Sequence, residues 1–152
     1  MNKTLKSIIS WLVYLAILAA LAFGTPRVLA KALHTPYPIA SITSSSMWPT
    51  LKQGDIVFIK GVSSRDEIKI GDIVVYKNPS PPVGGSGQAQ SFTIHRVVQL
   101  NVNTFVTKGD ANNVEDSPTT YDKLIGKAVD WNSSSNPVRV PYLGTISQIF
   151  KR

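Results

Sequence analysis

The stretch that decides the fold is Asp72-Ile73-Val74-Val75-Tyr76-Lys77, a run of β-branched and aromatic residues that follows a glycine. A near copy, Asp55-Ile56-Val57-Phe58-Ile59-Lys60, begins seventeen residues upstream and also follows a glycine. Residues of this kind favour strands, and Gly-Asp pairs favour turns. We interpret the two copies as two strands entered through similar turns, although a duplicated unit would give the same pattern.

Further short apolar segments, separated by Gly, Pro, Asn and Ser, continue this pattern along the chain. Their lengths and β-branched content predict more strands, at Ile39–Thr43, Phe92–Leu100, Thr104–Lys108 and Leu124–Trp131. Asn101-Val102-Asn103 would form a hairpin turn. The sequence therefore predicts a small, mainly β domain over residues 35–152, interrupted by a flexible loop rich in Pro, Gly and Ser at 78–91.

A long apolar segment precedes this domain. Twenty residues without a charge lie between Lys6 and Arg27, enough for a helix that crosses the hydrocarbon core of a bilayer. Gly24-Thr25-Pro26 is expected to end that helix. We therefore predict a membrane anchor over residues 1–31. Pro141–Phe150 is also apolar but too short to span a bilayer, so we expect it to pack on the domain or lie at the interface.

A cleavable signal peptide is the alternative interpretation of the N-terminal segment, because Val28-Leu29-Ala30 offers small residues at a suitable place. The apolar stretch is longer than the usual hydrophobic region of a signal peptide, roughly 7–15 residues, which favours an uncleaved anchor. Two positive charges precede the span and two follow it, and the N-terminal amine favours a cytoplasmic N-terminus. The domain would then lie on the extracytoplasmic side of the membrane.

Composition excludes several classes of function. The net charge of +7 could indicate a nucleic-acid binder, but four of the sixteen Lys and Arg flank the apolar segment and the others are scattered. No basic run with interleaved aromatic residues occurs, so no nucleic-acid partner is expected. The absence of cysteine excludes a disulfide framework and a thiolate nucleophile. No metal-ligand spacing occurs either, and neither a metal nor a cofactor is expected.

Three separated segments carry the side chains of a nucleophilic hydrolase. Ser46 lies in Ser44-Ser45-Ser46-Met47-Trp48-Pro49-Thr50, where the proline makes the backbone turn just after the serine. His95 lies in an apolar strand, on the same face as Thr93 and Val97 and opposite Ile94 and Arg96. Imidazole changes its protonation state near neutral pH and suits a general base, whereas His34 looks like a linker residue.

These residues also have simpler interpretations. Ser46 could be a solvated turn residue, and His95 could be a core histidine with satisfied hydrogen bonds. Asp110 and Asp116, with Glu115 beside them, are candidates for the carboxylate that orients the imidazole, or acidic residues that stabilise their own loop. Spacing alone does not choose between the two aspartates.

The segments together resemble the signal peptidase I family. The similarity rests on the Ser-Met-x-Pro-Thr box at 46–50, the Gly-Asp-Ile-Val strands, His-Arg-Val-Val from His95, and Lys-Gly-Asp…Asp over 108–116. It continues through Ile125-Gly126-Lys127-Ala128 and Val140-Pro141-Tyr142-Leu143-Gly144, and covers most of residues 39–146. The usual bacterial members have a lysine where His95 stands, and a histidine there marks the type found in the endoplasmic reticulum, in archaea and in some bacteria.

The resemblance implies a compact, largely antiparallel β domain that removes signal peptides from exported pre-proteins after a small residue. It implies Ser46 as nucleophile, His95 as general base and Asp116 as the acid that orients the imidazole. Asp110 matches a supporting site, and Ser44 matches a serine whose hydroxyl assists the Ser46 N–H in the oxyanion hole. The implied partners are signal peptides, membrane lipid and an unspecified membrane protein.

Two rival functions are compatible with the same sequence. One is a catalytically silent, membrane-tethered β domain that binds peptides. The other is a protease dedicated to one class of secreted or pilus-like precursors, which shares the chemistry and differs in substrate. Failure to react with an active-site serine reagent, or to cut any pre-protein, would favour the first. Comparing cleavage of a general secretory precursor with that of a locally encoded one would test the second.

Overall fold

The computed structural model describes residues 3–78, 92–130 and 136–144. Within these ranges one α-helix is followed by eight strands: α1 Lys3–Ala32, β1 Ile39–Ser41, β2 Ile56–Gly61, β3 Ile73–Lys77, β4 Phe92–Leu100, β5 Thr104–Lys108, β6 Thr119–Thr120, β7 Leu124–Ala128 and β8 Arg139–Val140. Short 3-10 helices lie at Arg65–Glu67 and Tyr121–Lys123. The hairpin predicted at Asn101-Val102-Asn103 is confirmed by the pairing of β4 with β5. All but the first residue of the loop predicted at 78–91, and most of Pro141–Phe150, lie outside the described residues.

The N-terminal helix α1 is longer than the sequence predicted. It does not end at Gly24-Thr25-Pro26 but continues through Pro26 to Ala32. Proline removes one backbone donor, which normally weakens a helix at that point. The carbonyl that loses its helical donor to Pro26 is that of Ala22, four residues before it, while the Arg27 side chain donates to the neighbouring carbonyl of Phe23 at 2.8 Å. Among the described residues, α1 is the one helix long and apolar enough to cross a bilayer.

The two Gly-Asp-Ile-Val copies form the same turn, which confirms their interpretation as similar strand entries. In each turn the aspartate donates its N–H to the carbonyl three residues before it, Asp55 to Lys52 and Asp72 to Lys69. Its carboxylate then accepts the N–H of that lysine at 2.9 and 3.0 Å. The intervening glycines have φ of 89° and 97°, a left-handed conformation that favours glycine. The strands begin after the aspartates because the aspartates close the turns.

The strands form a single curled antiparallel sheet in the order β1-β2-β7-β3-β4-β5-β6, with β8 also paired to β2. This confirms the predicted mainly β, antiparallel fold. The order is not the chain order, because β7 pairs with both β2 and β3. Two predicted strands are shorter than expected. β1 ends at Ser41 instead of Thr43, and β7 ends at Ala128, although Asp130 still forms an isolated bridge to Pro137.

The central strand β3 is buried on both faces, and each face packs into its own apolar cluster. Ile73 and Val75 belong to the first cluster, together with Ile42, Met47, Leu51, Val57, Ile59 and Ala128. Val74 and Tyr76 belong to the second, together with Ile68, Val97 and Phe105. Because successive residues of a strand point to opposite faces, the neighbouring strand β4 also sends side chains to both clusters.

The apolar helix α1 joins the sheet without a free linker. Immediately after α1, the Leu33 carbonyl accepts the N–H of Gly61, the last residue of β2, at 2.7 Å. A Cβ on Gly61 would collide with the carbonyl of His34, so only glycine allows this approach. Thr35 is buried, and its N–H donates to the carbonyl of Ala30 in the helix. The end of α1 and the end of β2 are therefore packed directly against each other.

Candidate active site

The loop after β1 presents Ser46 between two anchored residues. Met47 and Leu51 are buried in the first apolar cluster and fix the turn at 47–50, which contains a cis peptide bond before Pro49. The carbonyl of Ser46 accepts the N–H of Ala111 at 2.8 Å. At Gly109 a Cβ would lie 2.6 Å from that same carbonyl, so glycine is required for the close approach. The loop 109–118 therefore holds the backbone of Ser46 in place.

His95 on β4 connects Ser46 to Asp116. Its Nε2 lies 3.0 Å from the Ser46 hydroxyl, and its Nδ1 lies 2.6 Å from Oδ2 of Asp116. A carboxylate only accepts hydrogen bonds, so Nδ1 carries the proton and Nε2 is left to accept from the serine. The His95 side chain is 10% exposed, whereas Ser46 is partly exposed at the rim. The structure thus brings together three residues that are 49 and 21 positions apart.

The same oxygen of Asp116 is surrounded by hydroxyl groups that sequence reasoning missed. Thr107 on β5 donates to Oδ2 at 2.6 Å, and the Tyr76 hydroxyl on β3 lies 3.3 Å from it. Burial, with a further contribution from the Asp116 carboxylate, raises the pKa of Tyr76 above its ordinary value of 10.0. The phenol therefore keeps its proton at neutral pH and is available as a donor. No feature of the single sequence linked these two residues to Asp116.

Asp110 does not contact His95 but forms an ion pair with Arg96, the next residue on β4. Nε and Nη2 of Arg96 each donate to one carboxylate oxygen of Asp110 at 2.8 Å, and Thr50 donates to Oδ2 at 2.6 Å. Burial alone would raise the pKa of Asp110, but the hydrogen bonds from Arg96 and Thr50 outweigh it and lower the pKa below the ordinary value of 3.8. Thr50 ends the serine turn, so the ion pair braces the loop that carries Ser46.

Ser44 lies at the exposed rim of the site. Its hydroxyl is 3.1 Å from the hydroxyl of Ser46. In the part of the chain that the structure describes, no group of three or more histidine and acidic residues could hold a metal ion. The arrangement as a whole has a hydroxyl, an imidazole acceptor and a carboxylate in line, which is the geometry of a nucleophile activated by an oriented base.

Comparison with known proteins identifies the family of this chain. Residues 8–129 match the family described as signal peptidase, peptidase S26. The chain belongs to this family. The match begins inside α1 and continues through the loop that carries Ser46, β4, the loop 109–118 and β7. It therefore covers most of the apolar helix and the whole site.

Curated relatives are catalytic subunits of fungal signal peptidase complexes. The chain is 28% identical to the subunit sec11 of Sclerotinia sclerotiorum over 87% of its own length and 74% of that protein. It is 33% identical to sec11 of Schizosaccharomyces pombe over 72% of its length, and 34% identical to the Debaryomyces hansenii subunit over 67%. The matches span only 65% and 58% of those two proteins, less than two thirds. Family and relatives confirm the general interpretation as a signal-peptide-removing membrane protease.

Proposed function

We propose that this chain is a serine endopeptidase that cleaves signal peptides from exported pre-proteins, with Ser46, His95 and Asp116 as its catalytic residues. The observation that carries the proposal is the continuous hydrogen-bonded line from the Ser46 hydroxyl through both ring nitrogens of His95 to Asp116, at 3.0 and 2.6 Å. A silent peptide-binding domain would have no need for this alignment, so the geometry favours the enzyme.

In the first step His95 Nε2 takes the proton of Ser46 as its Oγ attacks the carbonyl carbon of the scissile bond. The new oxyanion is stabilised by the N–H of Ser46 and, after rotation toward it, by the hydroxyl of Ser44. The imidazolium, held by Asp116, then protonates the leaving amine as the C–N bond breaks. Water, deprotonated by the same imidazole, attacks the acyl-enzyme, and the proton returns to Ser46 as the product acid leaves.

The sheet offers a place for an extended substrate. Among the described residues, β1 pairs only with β2, and residues 92–95 of β4 pair only with β3. Each of these two stretches therefore has a second edge with no strand partner among the described residues. The hydrogen bond between Ser46 and His95 joins the two stretches on one side, and on the other side Tyr37 packs on Phe92, with ring centroids 5.0 Å apart. An extended peptide could add between the edges by β-augmentation.

The side chains near that gap support the small-residue specificity that we propose. Ala40 of β1 and Ile94 of β4 both pack against the first apolar cluster, in which Ile42 and Met47 are buried. We infer that these side chains form an apolar floor that would accept alanine and exclude bulky residues. We propose that Ile42 and Ile94 contact the substrate residue just before the scissile bond.

Residues 1–31 would act as the membrane anchor and residues 35–152 as the catalytic domain on the extracytoplasmic side. The length and composition of α1 support the anchor, and the N-terminal amine supports the orientation. The chain has no cysteine, so single cysteines can report the orientation. In intact cells a membrane-impermeant maleimide should label Val102→Cys, at the exposed hairpin, but not Thr4→Cys. The reverse pattern would place the domain in the cytoplasm.

The relatives are named as subunits of signal peptidase complexes. We propose that this chain likewise acts on signal peptides in contact with lipid and with a membrane protein partner. Because substrate and enzyme would share one bilayer, the substrate is concentrated near the site.

The experiment that tests the function is cleavage of a model pre-protein in liposomes. The wild type should cut after the small residue, and Ser46→Ala and His95→Ala should each lose about 10⁴-fold or more in kcat/KM. Ser45→Ala is the matched control and should behave as the wild type. His95→Lys would show whether this scaffold can also use a lysine base.

Other results would overturn the assignments. Near-normal activity of His95→Ala would exclude the histidine base and make Lys108 the next residue to test. A wild type that is inert toward every pre-protein and toward a serine-reactive phosphonate would favour the peptide-binding domain. Cleavage of a locally encoded fibre precursor, but not of a general secretory precursor, would favour the dedicated protease.

A further inference from the structure

Asp116 is held by a loop, whereas its hydroxyl partners are held by the sheet. Residues 109–118 contain no helix or strand, and the Asp116 side chain is 26% exposed. A carboxylate on such a loop has other rotamers available to it in solvent. Thr107 on β5 and Tyr76 on β3 are 1% and 4% exposed, and both lie in the interior of the sheet. Around Asp116, the groups that the fold holds rigidly are therefore the hydroxyls of Thr107 and Tyr76.

Thr107 fixes Asp116 at two points. Its carbonyl accepts the Asp116 N–H at 2.8 Å, and its hydroxyl donates to Oδ2 at 2.6 Å. The two hydroxyls of Thr107 and Tyr76 lie 3.1 Å apart. A threonine has one hydroxyl proton and can donate to only one acceptor at a time, and the shorter contact with the charged oxygen takes it. Tyr76 is then left to donate to the same carboxylate.

We propose that Thr107, assisted by Tyr76, is a positioning residue that fixes the Asp116 carboxylate so that Oδ2 meets His95 Nδ1 in one geometry. The inference rests on the proposed catalytic role of Asp116 and goes beyond it, because neither hydroxyl touches the substrate or the reacting atoms. Without them the carboxylate would turn toward solvent, and the imidazole would lose its orientation in the transition state.

The test compares variants that differ by a single hydroxyl. Thr107→Val keeps the shape and removes the donor, and should lower kcat about 10-fold to 100-fold with little change in KM, the range for a hydrogen bond to a charged group. Thr107→Ser restores the donor and should recover most of the activity. Tyr76→Phe should lose less than Thr107→Val because its contact is longer. Thr104→Val, on the same strand but bonded to Asn101, is the matched control and should be unaffected.

A double-mutant cycle distinguishes positioning from a general structural role. If Thr107 acts through Asp116, adding Thr107→Val to Asp116→Ala should cause no further loss of kcat. Equal losses in both backgrounds, or failure of Thr107→Ser to restore activity, would overturn the proposal. If Thr107→Val does not fold, the same cycle with Tyr76→Phe decides. Loss of activity in Ser46→Ala and His95→Ala but not in Asp116→Ala would reject this inference while leaving the proposed protease function intact.

Discussion

Two neighbouring residues of β4, His95 and Arg96, each meet an aspartate from the same loop, on opposite faces of the strand. His95 meets Asp116 through one nitrogen at 2.6 Å. Arg96 meets Asp110 through two nitrogens at 2.8 Å each. The first pair joins its carboxylate to an imidazole, which can accept or donate a proton, and the second joins its carboxylate to a guanidinium, which stays charged. Because successive residues of β4 face opposite sides, the same loop supplies one carboxylate to His95, the proposed base, and a second carboxylate to the structural ion pair with Arg96.

The two aspartate pairs also lead to different groups. The Asp116 pair ends at the Ser46 hydroxyl, whereas the Asp110 pair ends at the Thr50 hydroxyl and the Gly71 carbonyl. The first set of hydrogen bonds leads to Ser46, the proposed nucleophile. The other fastens the serine turn to the entry of β3. The role of each aspartate here therefore follows from its hydrogen-bond partners and not from its residue type.

The largest expected difference is in turnover. Asp116→Ala should lower kcat/KM for a model pre-protein by about 10³-fold to 10⁴-fold, because the imidazole loses its orientation and the stabilisation of its positive charge. Asp110→Ala should lower it about 10-fold or less, since no group of that pair faces the reacting atoms. Steady-state cleavage in liposomes measures both. Equal losses would mean that the two aspartates share one role.

The next largest loss of kcat is expected where the loop 109–118 contacts the backbone of Ser46. Gly109→Ala would place a Cβ 2.6 Å from the Ser46 carbonyl and 2.7 Å from the Asn112 side chain. The serine backbone must shift to relieve this contact, which should lower kcat about 10²-fold, as expected for a displacement of about 1 Å. Gly24→Ala, where a Cβ meets nothing, is the control. Unchanged kcat for Gly109→Ala would show that the loop does not position Ser46.

The free energy of unfolding should depend more strongly on Asp110 than on Asp116, the reverse of the order expected for kcat/KM. Asp110→Asn should lower the free energy of unfolding by about 2–4 kcal/mol, because Arg96 would keep its partly buried charge without a charged partner. Asp66→Asn, an exposed carboxylate on the turn before β3, should change it little. Urea unfolding in detergent, followed by circular dichroism, measures these differences. A smaller change for Asp110→Asn than for Asp116→Asn would contradict the structural role of the arginine pair.

The smallest effect is the pH dependence of the Asp110 contribution. Arg96 and Thr50 lower the pKa of the folded Asp110 carboxyl against the effect of burial, so the unfolded state binds its proton first as the pH falls. The stabilisation is therefore complete well above the ordinary value of 3.8 and is lost as the pH falls through the folded pKa. The difference between wild type and Asp110→Asn should stay constant near neutral pH and shrink below 3.8. A difference that grows with acidification would contradict the lowered pKa of Asp110.

The strands and the chemistry-bearing segments could be predicted from the sequence because their signals are local. β-branched runs predicted β2 to β5, and alternation along β4 predicted opposite faces for His95 and Arg96. The position of β7 between β2 and β3 could not be predicted, since it depends on pairing between distant segments. The continuation of α1 through Pro26 was missed because proline in a sequence normally predicts the end of a helix, whereas this helix continues to Ala32.

The division between Asp110 and Asp116 was likewise beyond the sequence. Both follow turn residues in one loop, and their spacing is compatible with either role. Thr107 and Tyr76 were missed for a similar reason, because a hydroxyl in an apolar strand has no sequence signal until its neighbours in space are known. Family resemblance supplied a preference for Asp116, and the hydrogen bonds to His95 give that preference a physical basis.

The contact between Gly61 and the end of α1 has a mechanical consequence for the proposed anchor. A flexible tether would let the active site sweep through a volume above the bilayer and sample cleavage sites at many heights. With residues 1–31 as the proposed anchor, a helix fastened to β2 would behave instead as a stalk of fixed length that holds Ser46 at one height above the bilayer. Such a site would select substrates by how far their cleavage sites project from the bilayer, in addition to the small residue before the scissile bond.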